Sequence, residues 1–425
     1  MMPDEKRLKI LFLPAWYPSE VDPLAGIFVQ EHAKAASLYN DVVVLYAYGD
    51  SSRSLRLYRI SETVEGDIRT ARVRYGGGFS YLWMKLRSKE QGRVSSPDSE
   101  ARLAGNLIKL LGIPKTIIED LLSYVSLFVA FRKLAKKGGK ADIIHAHGFT
   151  AGVPAVILGR LCRIPVVITE HASNFPVRTL SPLERVKARF AFSRAVATLP
   201  VSNNLREAIK AYGVKTSFKV IPNAVNTEVF YPPLPHAAAG EARKNQGKKL
   251  LLVAVLTPIK GVPFLLEALS QIRQGRKDFS LDIVGDGPNR QEYEELSRRL
   301  ELNAIVNFHG LKPKEEVAQF MRNCDFYVQP SLVETFGVVY IEAMACGKPV
   351  IASRLPVLEE IVNEDVGILV PPKDVKALKE AIEDMLDNYK GYSPEKIAQY
   401  ASERFSYGAV GKMLDEIYRG TLASK

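Results

Sequence analysis

Apolar residues occur along this chain in short continuous runs that alternate with longer segments of mixed polarity. Val, Ile and Leu dominate runs such as Leu8–Leu13 and Val166–Thr169, whereas Ile27–Leu38 has helical composition. Continuous rather than alternating apolar runs predict strands buried on both faces, as in a parallel sheet. The pattern therefore predicts an α/β fold with doubly wound parallel sheets. Its further predicted strands are Asp41–Tyr46, Asp142–His145, Ala197–Val201, Lys219–Ile221, Leu250–Leu256, Ser280–Val284, Ile305–Phe308, Phe326–Val328 and Pro349–Ala352.

One segment interrupts this alternation near the middle of the chain. Residues Tyr231–Lys249 are rich in Pro, Ala, Gly and charge, which is typical of a linker. A chain of 425 residues is also too long for one ordinary core. We therefore expect two tandem Rossmann-like domains, residues 1–235 and residues 236–404.

A long apolar segment stands apart from the short runs. Ile117–Lys137 predicts a helix that is apolar over most of its circumference and basic at its C-terminal end. It is interpreted either as a buried crossover helix, whose cations suit the helix dipole, or as a helix on a membrane surface. Its longest apolar run, Leu121–Phe131, is shorter than the roughly 18 residues that a membrane span needs.

Charge is distributed unevenly between the two halves. Residues 1–240 carry 33 Lys or Arg and 20 Asp or Glu, whereas residues 241–425 carry 25 and 27. The basic half indicates either a solvated surface or an anionic partner such as lipid or an anionic acceptor. Nucleic acid is not expected, because no nucleic-acid-binding motif accompanies the charge. The scarce, widely spaced cysteines and an N-terminal apolar run too short for a signal peptide favour a cytoplasmic protein.

Polar residues and glycines follow the predicted strands of the second half. Ligands of a parallel sheet bind beyond the carboxyl ends of its strands. Lys260, Gly285–Pro288 and His309–Gly310 each follow a strand. The ammonium of Lys260 suits a phosphate and glycines let the backbone approach a ligand, although a surface lysine and a tight turn are alternatives. Without a GxGxxG fingerprint or a P-loop, ordinary dinucleotide or ATP binding is not predicted.

Two glutamates, Glu334 and Glu342, bracket an apolar run after the next strand. Buried carboxylates are costly unless another group satisfies them. A helix is predicted to begin near Phe336–Gly337, so that its free N–H groups favour a negative charge. Glu334 precedes that helix and Glu342 lies about 7.5 Å along it, so they can reach two parts of one ligand with phosphate between them. In the structural alternative, Glu334 caps the helix and Glu342 forms a salt bridge.

The first half offers fewer polar groups at its strand ends. Gly26 ends the loop after the first strand, and His145 and His147 end a later strand. These histidines share one face of their strand, but no third ligand has metal-site spacing. His171 follows a purely apolar run and is the better functional candidate. No Asp-x-Asp triplet occurs, so a divalent metal is not expected. No cofactor is predicted either.

Together these residues resemble the family-4 retaining nucleotide-sugar glycosyltransferases, which have the GT-B fold. The resemblance covers nearly the whole chain and is strongest at Glu334-Thr335-Phe336-Gly337, with seven residues between Glu334 and Glu342 and then Ala343–Val350. It implies that the two domains face a central cleft and that the C-terminal helix, about residues 405–425, packs back on the first domain. Supporting matches are Pro14–Phe28, Val220–Phe230, Lys260-Gly261 and Gly285–Pro288.

The resemblance also implies roles for the matching positions. Glu342 would bind the ribose hydroxyls of the donor, Glu334 the hydroxyls of the transferred sugar, and Lys260 the diphosphate. His171 would reach the sugar and the acceptor from the first domain, so the implied catalytic residues are Glu334, His171 and Lys260. Further donor-binding positions are Gly285, Gly310, Leu311, Thr335, Phe336, Gly337 and Val338, and the acceptor side comprises Gly26, His147 and His171.

One position departs from the family pattern, because Val255 stands where Arg is usual. Half of the basic diphosphate clamp is then missing, and either another cation replaces it or donor affinity is weak. The expected reaction is retaining transfer of a hexosyl unit from a UDP- or GDP-type sugar to a saccharide or lipid-linked acceptor. Peripheral contact with an anionic membrane is expected through the basic first domain. The alternatives are an epimerase or hydrolase of the same fold, a non-catalytic sugar-nucleotide-binding subunit, and a basic lipid- or nucleic-acid-binding protein.

Overall fold

The computed structural model of the chain describes residues 6–49, 58–75, 115–233 and 247–423, with the backbone alone at 115–118. The described strands form two sheets. The first contains β1 (Lys9–Pro14), β2 (Asp41–Gly49), β3 (Tyr58–Glu65), β4 (Ile68–Tyr75), β5 (Ile143–His147), β6 (Val166–Glu170) and β7 (Ala197–Pro200), in the order β3-β4-β2-β1-β5-β6-β7. All its described pairings are parallel except that of β3 with β4.

Helices cover both faces of this sheet. Along β1, Ile10 and Phe12 pack on one side and Leu11 and Leu13 on the other. This two-sided burial is why β1 is apolar throughout rather than alternating. The helices of the first domain are α1 (Ile27–Ser37), α2 (Lys115–Gly138), α3 (Phe149–Cys162), α4 (Pro182–Phe192) and α5 (Asn203–Lys210).

The second sheet has the same architecture and is parallel throughout its described pairings. Its strands are β8 (Lys248–Val253), β9 (Phe279–Val284), β10 (Val306–Gly310), β11 (Phe326–Gln329), β12 (Val350–Ser353) and β13 (Gly367–Val370), in the order β10-β9-β8-β11-β12-β13. The helices that accompany them are α6 (Val262–Arg273), α7 (Arg290–Arg299), α8 (Lys314–Asn323), α9 (Val338–Ala345), α10 (Pro356–Glu359) and α11 (Val375–Asn388). These two sheets confirm the predicted pair of doubly wound α/β domains.

Two final helices, α12 (Pro394–Phe405) and α13 (Tyr407–Ala423), return the chain to the first domain. The hydroxyl of Tyr39 donates a hydrogen bond to the carbonyl of Gly408 over 3.1 Å. Gly411 lies so close to Ala35 that an added Cβ would stand 2.1 Å from the Ala35 carbonyl oxygen. α13 therefore packs on α1, on the sheet face opposite α2 and α3.

Three elements differ from the sequence predictions. Lys219–Ile221 is not a strand; Lys219 and Ile221 donate backbone hydrogen bonds to Thr198 and Pro200, alongside β7, without forming a ladder. The β3–β4 hairpin and β13 are unpredicted, and the hairpin strands are half exposed, so their apolar residues alternate with polar ones. Most of the linker Tyr231–Lys249, with the boundary at residue 235, lies outside the described residues and stays a prediction.

Candidate active site

Four loops meet at the carboxyl edge of the second sheet. The N–H of Gly285, after β9, donates to the carbonyl of Gly310, at the end of β10, over 2.8 Å. The N–H of Leu332, after β11, donates to the carbonyl of Ile259, after β8, over 2.7 Å. The sequence-predicted donor-binding positions that follow separate strands are therefore gathered at one edge.

The carboxylate of Glu334 is the centre of a polar network at this edge. Its Oε1 accepts hydrogen bonds from Lys260 Nζ at 2.6 Å, Ser331 Oγ at 3.0 Å and Gln329 Nε2 at 3.2 Å. Gln329 Oε1 accepts in turn from the hydroxyl of Tyr327 over 2.5 Å. Both members of the ion pair are largely buried, with side-chain exposure of 20% for Lys260 and 9% for Glu334. Within the described residues Glu334 Oε2 has no hydrogen-bond partner, so it is open to a ligand.

The helix that follows Glu334 begins without a side-chain cap. Gly337 occupies the N-cap position of α9 with φ of 92°, a conformation that only glycine adopts readily. The capping role considered for Glu334 is therefore wrong. The N–H group of Tyr340 already donates to the carbonyl of Gly337 over 3.1 Å, which leaves those of Val338 and Val339 for an anion. Phe336 turns its ring into the core against Phe405, with ring centroids 5.8 Å apart, so only its backbone faces the edge.

Glu342 lies farther along α9 and is partly buried. Burial raises the pKa of its carboxyl from 4.5 to about 7, Lys314 opposes this rise, and Glu31 adds to it. In the described part of the chain no cation forms an ion pair with Glu342, so the alternative of a structural salt bridge is wrong. A partly exposed carboxylate that has no cationic partner among the described residues is available to a ligand.

The loop after β10 forms the outer end of this edge. His309 Nε2 is 2.7 Å from Asp282 Oδ1 and its ring packs on Phe320 with centroids 4.6 Å apart, so its side chain turns back onto the domain. Leu311 is exposed instead and presents an apolar side chain next to Gly310. This suits the face of a nucleotide base better than the imidazole does.

A cavity of about 460 Å³ lies on the first-domain side of the cleft. Gly26, Phe28 and His171 line it together with Thr335 of the second domain, so both domains contribute to one space. Gly26 has φ of 64°, and a Cβ there would stand 2.2 Å from the Trp16 carbonyl oxygen. The first loop can therefore fold over the start of α1 only with glycine at this position.

Behind His171 lies a cluster of buried histidines. His147 Nδ1 is 3.1 Å from His171 Nε2, and the two rings are nearly parallel, at 15°. His147 thus supports His171 from behind and does not line the cavity. His145 contacts the Tyr418 hydroxyl at 2.6 Å and Thr169 Oγ1 at 2.7 Å, which ties β5 to α13 and β6. Burial lowers the pKa values of these three histidines well below 6.5, so their rings are neutral at pH 7.

His32, on α1, completes a group that the sequence did not indicate. One nitrogen of each of His32, His147 and His171 lies within 4.8 Å of the others, and this group does not include His145, the neighbour that the sequence offered for His147. His32 Nε2 is 3.0 Å from the Pro222 carbonyl oxygen. The closest nitrogens, on His147 and His171, lie at hydrogen-bond distance in nearly parallel rings, which is the geometry of an N–H···N bond.

Glu170 positions the loops around His171. Its carboxylate accepts backbone hydrogen bonds from Phe149, His171 and Ala172, each over 2.8 Å. Burial raises the pKa of Glu170 to about 7, against the three N–H donors. In the sequence, Glu170 directly follows an apolar run. A charged residue at the end of a buried strand was the signal that could have indicated its role in holding these loops.

Contacts across the cleft hold the two walls in place. Lys314 of α8 forms an ion pair with Glu31 of α1 over 2.5 Å, and Glu31 also accepts a hydrogen bond from Tyr407. Burial alone would raise the pKa of Glu31, but Lys314, Tyr407 and Lys34 outweigh burial and lower it. On the other side, the carboxylate of Glu360 accepts the backbone N–H groups that begin α5. No local sequence signal pairs Glu31 with Lys314, because 283 positions separate them.

Val255 follows β8 at the same edge, where the resemblance leads one to expect Arg. Its side chain is exposed and uncharged. Among the described residues, Lys260 supplies a cation to the hydrogen-bond network around Glu334. Of the two basic residues that the resemblance implies at the diphosphate, the structure therefore has Lys260 but no arginine at position 255.

Two family models match the chain. The model described as Glycosyl transferases group 1 matches residues 237–404, and the model described as Glycosyltransferase Family 4 matches residues 93–229. Together they match more than half of the chain, in the order of its two domains.

Relatives and a solved structure agree with these models. The chain is 33% identical over 249 residues to an uncharacterized glycosyltransferase of Methanocaldococcus jannaschii, covering 58% of this chain and 66% of the relative. It is 31% identical over 257 residues to the phosphatidyl-myo-inositol mannosyltransferase of Mycobacterium leprae, covering 59% and 65%. Each match spans slightly less than two thirds of the relative's own length. Anabaena HepE in complex with UDP-glucose superposes with a TM-score of 0.65 at 21% identity, covering 97% of this chain and 100% of that chain.

Two doubly wound domains that face each other across a cleft define the GT-B class. The chain belongs to the family-4 glycosyltransferases of that class. No helix of the described residues combines the length and the apolar character that a membrane span requires.

Proposed function

We propose that the protein transfers a hexosyl unit from a UDP- or GDP-type nucleotide sugar to a hydroxyl of a saccharide or lipid-linked acceptor, with retention of anomeric configuration. The observation that carries this proposal is the buried Lys260–Glu334 pair beside the uncapped start of α9. A cation, free backbone N–H groups and an open carboxylate oxygen then stand at one sheet edge. These groups match the diphosphate and the sugar hydroxyls of such a donor.

The donor would lie along the edge of the second sheet. Glu342 would accept hydrogen bonds from the ribose hydroxyls, and Leu311 would pack on the base. The diphosphate would lie between Lys260 and the N–H groups at the start of α9, while Glu334 Oε2 would hold the transferred sugar. The UDP-glucose bound to HepE supports a donor of this kind.

The chemistry would depend on positioning and electrostatics. The bond between the sugar C1 and the diphosphate oxygen breaks, and a bond from C1 to the acceptor oxygen forms on the same face. The acceptor proton passes to the leaving diphosphate. Lys260 and the start of α9 would stabilise the negative charge that develops on that group, so we propose that no divalent metal is required.

The acceptor would enter the cavity that His171 and Gly26 line. His147 occupies Nε2 of the neutral His171 and fixes the ring orientation, which leaves the buried Nδ1, unpaired among the described residues, as the nitrogen that would exchange a hydrogen bond with a hydroxyl there. The name of the Mycobacterium leprae relative gives phosphatidyl-myo-inositol as its acceptor, which supports including lipid-linked acceptors.

The test combines a panel of UDP- and GDP-sugars with acceptor saccharides and lipids. Thermal shift would identify the donor, mass analysis the product, and proton NMR the anomeric configuration. Transfer with retained configuration, unaffected by a chelator, is expected. An epimer or free sugar as the main product, with no acceptor consumed, would refute transfer.

Val255 favours one second candidate, a subunit that binds sugar nucleotides without turnover. Because position 255 is uncharged, the departing diphosphate is stabilised less than the resemblance implies. Donor binding without any product over the full acceptor panel would select this candidate.

A further inference from the structure

Large apolar side chains are exposed together on one outer face of the first domain. This face, which we term the three-helix face, consists of the outward surfaces of α2, α3 and α4. α3 packs against both of the other helices, and Lys187 of α4 forms an ion pair with Asp120 of α2. The exposed apolar residues of the face are Leu121, Val125, Phe128, Ile157, Leu161, Leu183 and Val186.

On α2 the exposed residues form a stripe. Leu121, Val125 and Phe128 follow each other at helical spacing, and Arg132 continues the same line. Leu121 is 61% exposed and Val125 is 55% exposed. A solvated helix normally turns polar residues outward, whereas α2 turns apolar residues outward over two turns.

The neighbouring helices extend the stripe sideways. On α3, Leu161 is 66% exposed beside Arg160, and on α4, Val186 is 63% exposed. Because α3 lies against both other helices, these side chains lie on neighbouring helices of one layer. Single exposed apolar residues are ordinary, but a cluster on adjacent helices marks an interaction surface.

The same helices are strongly basic. Over α2, α3 and α4 the sequence has nine Lys or Arg and three Asp or Glu. An exposed apolar band among cations matches an anionic lipid surface, where apolar side chains enter the acyl region and cations meet headgroups. A second copy of the chain docked by this face would bring like charges together, which favours lipid as the occupant.

The face also adjoins the acceptor-side cavity. Glu184 in the first turn of α4 and Phe149 at the start of α3 both line that cavity. Leu183, next to Glu184 in the sequence, is an exposed apolar residue. A lipid whose headgroup reaches the cavity would therefore keep its acyl chains on the side of the three-helix face.

We propose that the three-helix face docks on an anionic lipid bilayer and presents the cavity to a lipid-linked acceptor. The docking half stands on the surface alone, while the presentation half rests on the function proposed above. A vesicle assay therefore separates the failure of docking from the failure of transfer.

The experiment measures sedimentation of the full chain with vesicles of phosphatidylcholine alone or with added phosphatidylglycerol. The test variant combines Leu121→Ser, Leu161→Ser and Val186→Ser, one change on each helix. The matched control combines Leu38→Ser and Val64→Ser, which are exposed apolar residues outside the face. A charge variant combines Arg132→Glu with Lys136→Glu. The unfolding temperature serves as the check on folding in every variant.

Wild type should prefer phosphatidylglycerol vesicles, and added salt should weaken its binding. The serine variant should bind vesicles at least roughly tenfold more weakly than wild type. The charge variant should lose the preference for phosphatidylglycerol vesicles. The control variant should bind like wild type. Three results would overturn the docking proposal: no vesicle binding by wild type, undiminished binding by the serine variant, or a wild-type dimer that the serine variant breaks. Vesicle binding without faster transfer to a vesicle-borne acceptor than to a soluble one would overturn presentation.

Discussion

The two walls of the cleft differ in their electrostatics. The wall from the second domain carries a buried Lys260–Glu334 ion pair, an uncapped helix start and the unpaired Glu342. The wall from the first domain carries neutral histidines, and its carboxylate, Glu170, is already bound by three backbone N–H groups. A wall with available charge suits a diphosphate, whereas a neutral polar wall suits a hydroxyl. This difference is why we propose that the donor and the acceptor bind on opposite sides of the cleft.

The largest effect is expected from removing the cation of the donor wall. Lys260→Met should lower kcat/KM by about two orders of magnitude, because the leaving diphosphate loses about 3 kcal/mol of stabilisation. Steady-state kinetics would measure this loss. Lys376→Met, at a highly exposed lysine on α11, is the matched control.

Removing Lys260 also leaves Glu334 without its cation, which by itself destabilises the fold. The double variant Lys260→Met/Glu334→Gln removes that cost and should unfold at a higher temperature than Lys260→Met alone. It should remain inactive. Activity near the wild-type level in the double variant would show that Lys260 does not stabilise the leaving diphosphate.

The pH dependence of nucleotide binding tests whether ionised Glu342 binds the ribose hydroxyls. Its pKa of about 7 leaves it largely protonated at pH 6 and ionised at pH 8. Ribose hydroxyls donate to the ionised form, so nucleoside diphosphate affinity should rise roughly tenfold from pH 6 to pH 8. Titration calorimetry at several pH values would show this rise, and Glu342→Gln should remove the part that belongs to Glu342.

The same carboxyl predicts a change in stability with pH. Its pKa is higher in the folded than in the unfolded chain, so the unfolded chain releases this proton first. The free energy of unfolding should therefore fall as pH rises from about 4.5 to about 7. Denaturant unfolding should show a smaller fall in Glu342→Gln. An identical fall in both proteins would mean that Glu342 titrates normally.

The sequence predicts the donor wall far better than the acceptor wall. Glu334, Glu342 and Lys260 follow strands whose continuous apolar runs are easily recognised, so their common edge follows from parallel topology. The approach of His32 to His147, by contrast, depends on how α1 packs over β5. The Glu31–Lys314 pair joins residues 283 positions apart and has no local pattern at all. Tertiary packing, not local pattern, decides these contacts.

A change on the acceptor wall should affect only the acceptor. His171→Gln should raise the acceptor KM roughly tenfold, since about one hydrogen bond is lost, and leave nucleoside diphosphate affinity unchanged. Kinetics with varied acceptor and a parallel binding titration would separate the two quantities. A matching loss of nucleoside diphosphate affinity would break the proposed division between the walls.

The smallest effect is expected at Val255. Val255→Arg adds an exposed cation beside the proposed diphosphate site and should strengthen nucleoside diphosphate binding by about 1 kcal/mol, or roughly fivefold. The uncharged nucleoside should bind as before. Equal gains for both ligands would place position 255 away from the diphosphate.

The division of the cleft is tested most directly by titrating nucleoside diphosphate into wild type, Glu342→Ala and His171→Gln side by side. Loss of the ribose contacts should weaken binding to Glu342→Ala by about 2 kcal/mol, or roughly thirtyfold, while His171→Gln should bind like wild type. Unchanged affinity in Glu342→Ala, or an equal loss in His171→Gln, would contradict the assignment of the donor to the second domain.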